Sequence, residues 1–325
     1  MLNTIFPLLT KLISPGGQRG RLTILMYHRV VERTDPLFPY VPSATVFDRH
    51  MEAVAHGFHC LPLSEAIERL SKRSLPPRAA CVTFDDGYRD NITVAAPILA
   101  RHKIPGTIFV ATGFLDGGRM WNDSVIEAIR CANGPAIDLT QLGLGKYILV
   151  DDESRTSTIH ALIDKLKYLP FAERSEKVHA LCDILGVSLP NDLMMSSSDV
   201  RLAHELNIEI GGHTKNHPIL ARLGDAEARA EIGDGKDQLE SLLKEKITLF
   251  AYPNGRPDQD YHLRHAAMVK ELGYRAACST ASGVADSTSD LFQLPRYAPW
   301  DTQKSKFQAR LLQNLLRPAP NPAYA

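Results

Sequence analysis

Ala79-Ala80-Cys81-Val82-Thr83-Phe84-Asp85-Asp86-Gly87-Tyr88 reads as a buried strand that stops at a site. An apolar, partly β-branched run broken by two carboxylates and a glycine is how a parallel strand ends where chemistry starts. Side chains alternate along a strand, so Asp85 and Asp86 point different ways, which lets one bind a metal while the other stays free as a base. Gly87 permits the turn out of the sheet. Asp151-Asp152 serves as an internal control: it lies in the polar run Val150-Asp151-Asp152-Glu153-Ser154 and reads as a helix cap.

The second half of the constellation is His213-Thr214-Lys215-Asn216-His217, which follows the short β-like run Ile208-Glu209-Ile210-Gly211-Gly212. On a turn, residues i and i+4 face the same way. Two imidazoles and one carboxylate leave a fourth position on a divalent ion for water, the arrangement of a hydrolytic zinc site. The competing reading is a pair of surface histidines. The two stretches taken together favour metal ligation.

With 325 residues and 44% hydrophobic content, the chain is long enough for a substantial core, and one catalytic domain with an insertion fits better than two domains. Its 37 basic and 37 acidic residues cancel, so nothing points to a nucleic-acid partner. Five widely spaced cysteines without a Cys-x-x-Cys read as small buried hydrophobes. Residues 1–21 form an N-terminal amphipathic segment in which Leu2, Ile5, Phe6, Leu9, Leu12 and Ile13 share a helical face. That face suits docking on the protein or, through residues 1–14, peripheral contact with a membrane or an exopolysaccharide-assembly partner. No basic n-region or cleavage site marks a signal peptide, so a cytoplasmic location is the expectation.

Strands are expected at Leu22–Tyr27, Ala79–Phe84, Gly106–Ala111, Ile208–Gly211, Thr248–Tyr252, Tyr274–Cys278 and Phe292–Arg296, alternating with helices. That alternation predicts a parallel sheet, closed or nearly closed, in the α/β class. Among the helices, Ser64 and Ser198 are expected as caps, and Pro97 as a kink in a helix over Asn91–His102. Residues 113–198 replace a single return helix with several helical patterns, placed to cap the mouth of the barrel or to elaborate packing away from it. The Pro-rich tail 317–325 is expected to be disordered.

Thr83-Phe84-Asp85-Asp86-Gly87, His213-Thr214-Lys215-Asn216-His217 and Phe250-Ala251-Tyr252-Pro253-Asn254-Gly255 resemble, in the same order, the motifs of the polysaccharide deacetylases (NodB-type, carbohydrate esterase family four). Tyr27-His28 and Asp85-Asp86-Gly87-Tyr88 resemble the exopolysaccharide deacetylases of biofilm systems most. The resemblance covers residues 22 to 298. It implies a distorted seven-stranded (β/α) barrel, with the helical insertion between strands three and four, that removes acetyl groups from an N-acetylated polysaccharide or lipid-linked sugar. It further implies one divalent metal on Asp86, His213 and His217, with Zn2+ expected and Co2+ or Ni2+ as alternatives. Asp85 would be the base, and a backbone N–H near Tyr252, Pro253 and Asn254 the oxyanion donor.

The chain departs from the family pattern twice. The arginine that precedes the proline of the third motif is replaced by Ala251-Tyr252-Pro253, and Arg296 is the substitute expected to brace Asp85. The late Leu-x-His that supplies the general acid is missing, since no histidine follows His265; His28, at the end of the first strand, is the expected acid. Trp121 and Trp300 are candidates for stacking on sugar rings. The missing histidine keeps two alternatives open, a non-catalytic carbohydrate-binding relative and an amidohydrolase of a small non-sugar amide.

Overall fold

Every residue of β1 (Leu22–Tyr27) and of β3 (Ala79–Phe84) is buried, as their unbroken apolar runs require of strands covered on both faces. The computed structural model describes residues 2–317. In chain order its elements are α1 (Leu2–Ile13), β1, α2 (Ala44–Gly57), β2 (His59–Cys60), α3 (Leu63–Ser71), β3, α4 (Ala96–His102) and β4 (Gly106–Val110). The insertion follows, with α5 (Trp121–Cys131), β5 (Ala136–Leu139), β6 (Gly145–Ile148), α6 (Asp152–Leu166) and α7 (Phe171–Leu185). The chain then returns through α8 (Ser197–Glu205), β7 (Glu209–Gly212), α9 (Asp225–Leu243), β8 (Leu249–Ala251), α10 (Leu263–Glu271), β9 (Ala276–Cys278) and α11 (Lys304–Leu315).

The principal sheet is parallel with order β1-β3-β4-β7-β8-β9, and the short β2 adds beside the start of β3. Its two ends meet through the segment expected as the seventh strand. Leu294 bridges to Cys278 of β9 and Tyr297 bridges to Leu25 of β1, so residues 294–297 close the ring without forming a regular strand. Pro295 lies between the bridges and has no N–H to give a ladder. Alternate residues of the strands, including Leu22, Ile24, Ala79, Cys81, Phe109, Ala251 and Cys278, form an inner core with Leu63, Ile67 and Leu70 of α3. The opposite faces pack with the surrounding helices into the larger outer core.

Several local expectations change. Ser64 is inside α3, whose cap position is Pro62, and the Glu209 carboxylate of β7 accepts the first N–H groups of the helix instead. Ser196, not Ser198, caps α8, in a reciprocal capping box with Asp199. Asp151 caps α6 as expected. Residues Asn91–Ala95 form a wide π-type turn ahead of α4, which puts Pro97 in the first turn of that helix, where its missing N–H leaves no bond unmade. Cys81 and Cys278 are buried, whereas Cys131 is exposed. Helix α1 docks on the protein through Phe6, whose ring packs edge-on against Phe58, and through Thr10, which donates to the Gly57 carbonyl. Ile5 and Leu12 lie off that docked face and are exposed. No helix among the described residues is long and apolar enough to cross a membrane, and the expected disordered tail, apart from Arg317, lies outside the described residues.

The insertion carries its own hydrophobic core, built by α5, α6, α7 and the β5–β6 hairpin and joined by Leu37 and Phe38 from the loop after β1. Its residues line both cavities that open on the carboxyl ends of the strands. It is therefore a cap on the barrel mouth.

Candidate functional site

Asp85 continues the parity of Ala79, Cys81 and Thr83 and so enters the barrel interior, which is lined by small side chains such as Ala251, Ala276 and Cys278. Those small residues leave room for Arg296. The Arg296 guanidinium reaches Asp85 with two parallel hydrogen bonds of 2.7 Å, and its Nε donates to the Ser279 carbonyl at 2.9 Å. Both side chains are almost wholly excluded from solvent. Burial alone would push the Asp85 carboxyl up; the Arg296 charge and its two hydrogen bonds hold it below its ordinary value.

The next residue leaves the strand sharply. Asp86 has φ +75°, a left-handed conformation rare for a side chain with a Cβ, and Gly87 follows at +83° with the Val110 side chain close against it. Thr214 and His217 are also left-handed, at +62° and +53°, so strained backbone gathers at this end of the barrel. The turn places Asp86 Oδ1 3.3 Å from His213 Nε2 and 3.2 Å from His217 Nε2. His213 is fixed by its Nδ1, 2.7 Å from the Ala251 carbonyl of β8, and by its backbone N–H, which donates to Val110 of β4. The His217 N–H donates to the Thr214 hydroxyl.

This donor set fits a cation. A carbonyl beside Nδ1 assigns the ring proton there, so His213 Nε2 presents a lone pair to a carboxylate oxygen. Asp86 Oδ1 is buried and finds no hydrogen-bond donor. Lone pairs converging in a buried pocket repel one another unless a positive charge sits among them. The three ligand atoms lie within 4.8 Å of one another. Edges of about 3.3 Å are those of a tetrahedron with arms of about 2.0 Å, the usual Zn–N and Zn–O lengths.

His28 follows the end of β1 and is exposed, lining both cavities together with Asp86. Its loop is clamped: the Asn91 amide donates to the His28 carbonyl, and Asp90 pairs with Arg29 at 2.8 Å. Of the three residues expected near the oxyanion, only Asn254 lines either of these two cavities. The Tyr252 ring is buried in a stack on Tyr261, and its N–H is donated to Cys278. Pro253 has no N–H. Asn254, left-handed at +57°, has a backbone N–H with no acceptor among the described residues. Trp121 lines the smaller cavity beside His217, and Trp300 is half-exposed on the wall of the larger.

Sequence reasoning missed Asp123, in the first turn of α5, where an acidic residue reads as a complement to the helix dipole. It is buried, accepts from the Tyr88 hydroxyl at 3.2 Å, and lines the larger cavity, of about 420 Å3, with its Oδ2 unpartnered. Burial pushes its carboxyl up to about 7, despite the opposing charge of Arg29. A Met-Trp-Asn-Asp run at the start of the insertion is the only sequence signal that could have drawn attention to it.

A polysaccharide deacetylase family model matches residues 72–132 and 172–277, just over half of the chain. YxkH of Bacillus subtilis (strain 168), named for the same family, is 20% identical over 279 residues, which cover 85% of this chain and 71% of the relative. Among solved structures, the Streptococcus pyogenes deacetylase PplD, in complex with acetate, superposes with a TM-score of 0.60 at 20% identity, over 92% of this chain and 100% of that one. IcaB from Ammonifex degensii gives 0.56 at 18% identity over 94% and 100%. These likenesses establish the fold. The matched segments carry Asp85, Asp86, His213, His217 and Asn254 but neither His28 nor Arg296, and on them the chain belongs to the polysaccharide deacetylase family, a family of hydrolases.

Proposed function

We propose that the protein is a metal-dependent N-deacetylase of an N-acetylated glycan, with Asp86, His213 and His217 holding one divalent cation, Zn2+ by preference. The observation that carries this reading is the convergence of both imidazole Nε2 atoms on the undonated Asp86 Oδ1, next to a carboxylate locked by Arg296. When bound, the ion lowers the pKa of water to about 7 and polarises the acetamido carbonyl.

The residues divide the remaining work. Asp85 stays ionised beside Arg296 and accepts the proton of the attacking water. Arg296 is a positioning residue, since its fork fixes both Asp85 oxygens in one plane. The Asn254 N–H is the donor free to meet the developing oxyanion, a contribution of about 3 kcal/mol if comparable to other such donors. His28, exposed in the cleft, hands a proton to the departing amine, so that an amide and water leave as acetate and a free amino sugar. Exopolysaccharides are among the substrates this reading allows.

Acetate release across a panel of N-acetylated glycans, with metal content measured on the same samples, tests the proposal. Turnover that a chelator abolishes and Zn2+ restores is expected. Metal-loaded protein that binds glycans but releases no acetate would instead make it a carbohydrate-binding relative, and release from small non-sugar amides alone would make it an amidohydrolase of another class.

A further inference from the structure

A second cavity, of about 240 Å3, shares His28 and Asp86 with the larger one and lies between the barrel mouth and the cap. His28, Asp86 and His217 form its floor; Trp121, Lys167 and Arg174 come from the cap. Arg174 is 6% exposed. Among the described residues its only side-chain hydrogen bond runs from one terminal nitrogen to the Lys167 carbonyl at 3.2 Å, and its guanidinium lies over the Trp121 ring, 4.9 Å from the centroid, and over the Phe171 ring at 5.8 Å. No carboxylate of the described residues pairs with Arg174 or with Lys167, whose Nζ lies 5.6 Å over the Tyr168 ring. Burial is the one influence on the Arg174 charge, and it acts to weaken it.

A largely buried guanidinium without a counter-ion carries a desolvation penalty, which one carbonyl and the Trp121 and Phe171 rings offset only in part. The remaining N–H groups have no acceptor among the described residues and are not sealed from solvent. Asp86, the one carboxylate lining the cavity, is already turned to two imidazoles. Two cations therefore face a space that opens on the reaction centre and contains no free negative charge to neutralise them.

We propose that this cavity binds an oxyanion of the sugar substrate, a phosphate or a carboxylate, so that the enzyme acts on an anionic N-acetylated glycan. Arg174 grips the group with its free N–H fork and Lys167 adds a point charge. This rests on the deacetylase reading for its catalytic consequence, but not for the binding itself.

The test therefore has two readouts. In the first, inorganic phosphate is titrated into the metal-loaded full chain and into Arg174→Met, followed by calorimetry at low and at high salt. Saturable binding that weakens with salt and disappears in R174M is expected; equal binding by both proteins overturns the site. In the second, kcat/KM is measured on N-acetylglucosamine 1-phosphate, on an N-acetylglucosamine-containing oligosaccharide bearing a uronate, and on a neutral N-acetylglucosamine oligomer. The ratio of anionic to neutral kcat/KM should fall about 10- to 100-fold in R174M, the scale of a lost charge-assisted hydrogen bond. Which anionic substrate shows the fall separates a glycosyl phosphate from an acidic polymer. An unchanged ratio, with all three substrates losing equally, assigns Arg174 to packing under Trp121 and overturns the proposal. Lys167→Met, half-buried on the cap and expected to fold, should lower the same ratio by a smaller factor. Phosphate binding without acetate release from any substrate would leave the anion site standing and remove the deacetylase reading.

Discussion

Removing the guanidinium from Arg296 while leaving Asp85 in place should be among the most damaging single changes to the barrel. The pair is fully buried, with two bonds of 2.7 Å, so Arg296→Met strands an ionised carboxylate in the interior. Breaking such a pair costs about 3–5 kcal/mol. At about 2.1 cal/mol/K per residue, the unfolding entropy of 325 residues is about 0.7 kcal/mol/K, which converts the loss to a fall in Tm of about 4–7 °C. The pH dependence has a definite sign. With Arg296 present the folded Asp85 carboxyl is held down, so its contribution is present above the unfolded value near 4 and disappears as pH falls below it. The Tm gap between wild type and variant should thus be full at pH 7 and narrow below pH 4. Asp85→Asn/Arg296→Met removes both charges together and should recover most of the lost stability, because a neutral pair leaves nothing uncompensated. Thermal unfolding in chelator, to keep metal binding out of the comparison, supplies the measurement. An Arg296→Met protein melting within a degree of wild type, or a double variant no more stable than the single one, would refute the reasoning.

Three other outcomes follow from the same geometry. His213→Ala/His217→Ala should fold but retain no stoichiometric divalent ion by mass spectrometry, and should release no acetate; a folded double variant that keeps its metal would remove these residues as ligands. His28→Ala should cripple amide cleavage while largely sparing an activated aryl acetate, whose phenolate leaves without a proton, and equal losses on both would reduce His28 to a substrate contact. Asp123, held neutral up to about pH 7 by burial, binds its proton more tightly folded than unfolded, so wild-type stability should decline between pH 4 and 7 relative to Asp123→Asn. A shift of about three units bounds that difference at about 4 kcal/mol by pH 8, read by chemical denaturation at both ends of the range; a gap independent of pH would show that Asp123 is ionised throughout.

The elements legible in the sequence are those whose environment is symmetrical. Leu22–Tyr27 and Ala79–Phe84 are buried on both faces, so a continuous apolar run is enough to reveal them, and the carboxylates that end the second run mark the site directly. The β5–β6 hairpin was hidden because it is only half-buried, and Ile137 and Leu139 alternate with exposed residues for just four positions. His59–Cys60 is too short to carry a period at all. The seventh strand lies where its apolar run predicts it, but Pro295 reduces it to two bridges. Within the stretch Tyr252-Pro253-Asn254 the sequence does not say which N–H is free, because the one spent on Cys278 depends on a neighbouring strand 26 residues away in sequence from Tyr252. Asp123 and Arg174 look like ordinary charges of amphipathic helices until the cap folds down and buries them.

The closing bridges at Leu294 and Tyr297 tie the order of synthesis to the chemistry. Until residues 294–297 leave the ribosome, β1 and β9 both have open edges, and Asp85, made 211 residues earlier than its partner, has no positive charge to accompany it into the interior. The guanidinium that follows the closing bridge at Leu294 also pairs with the carboxylate proposed as the base. On the proposed mechanism, a chain cut before residue 294 lacks the charge that holds Asp85 ionised, and it is expected to be inactive and, with open strand edges, more readily proteolysed.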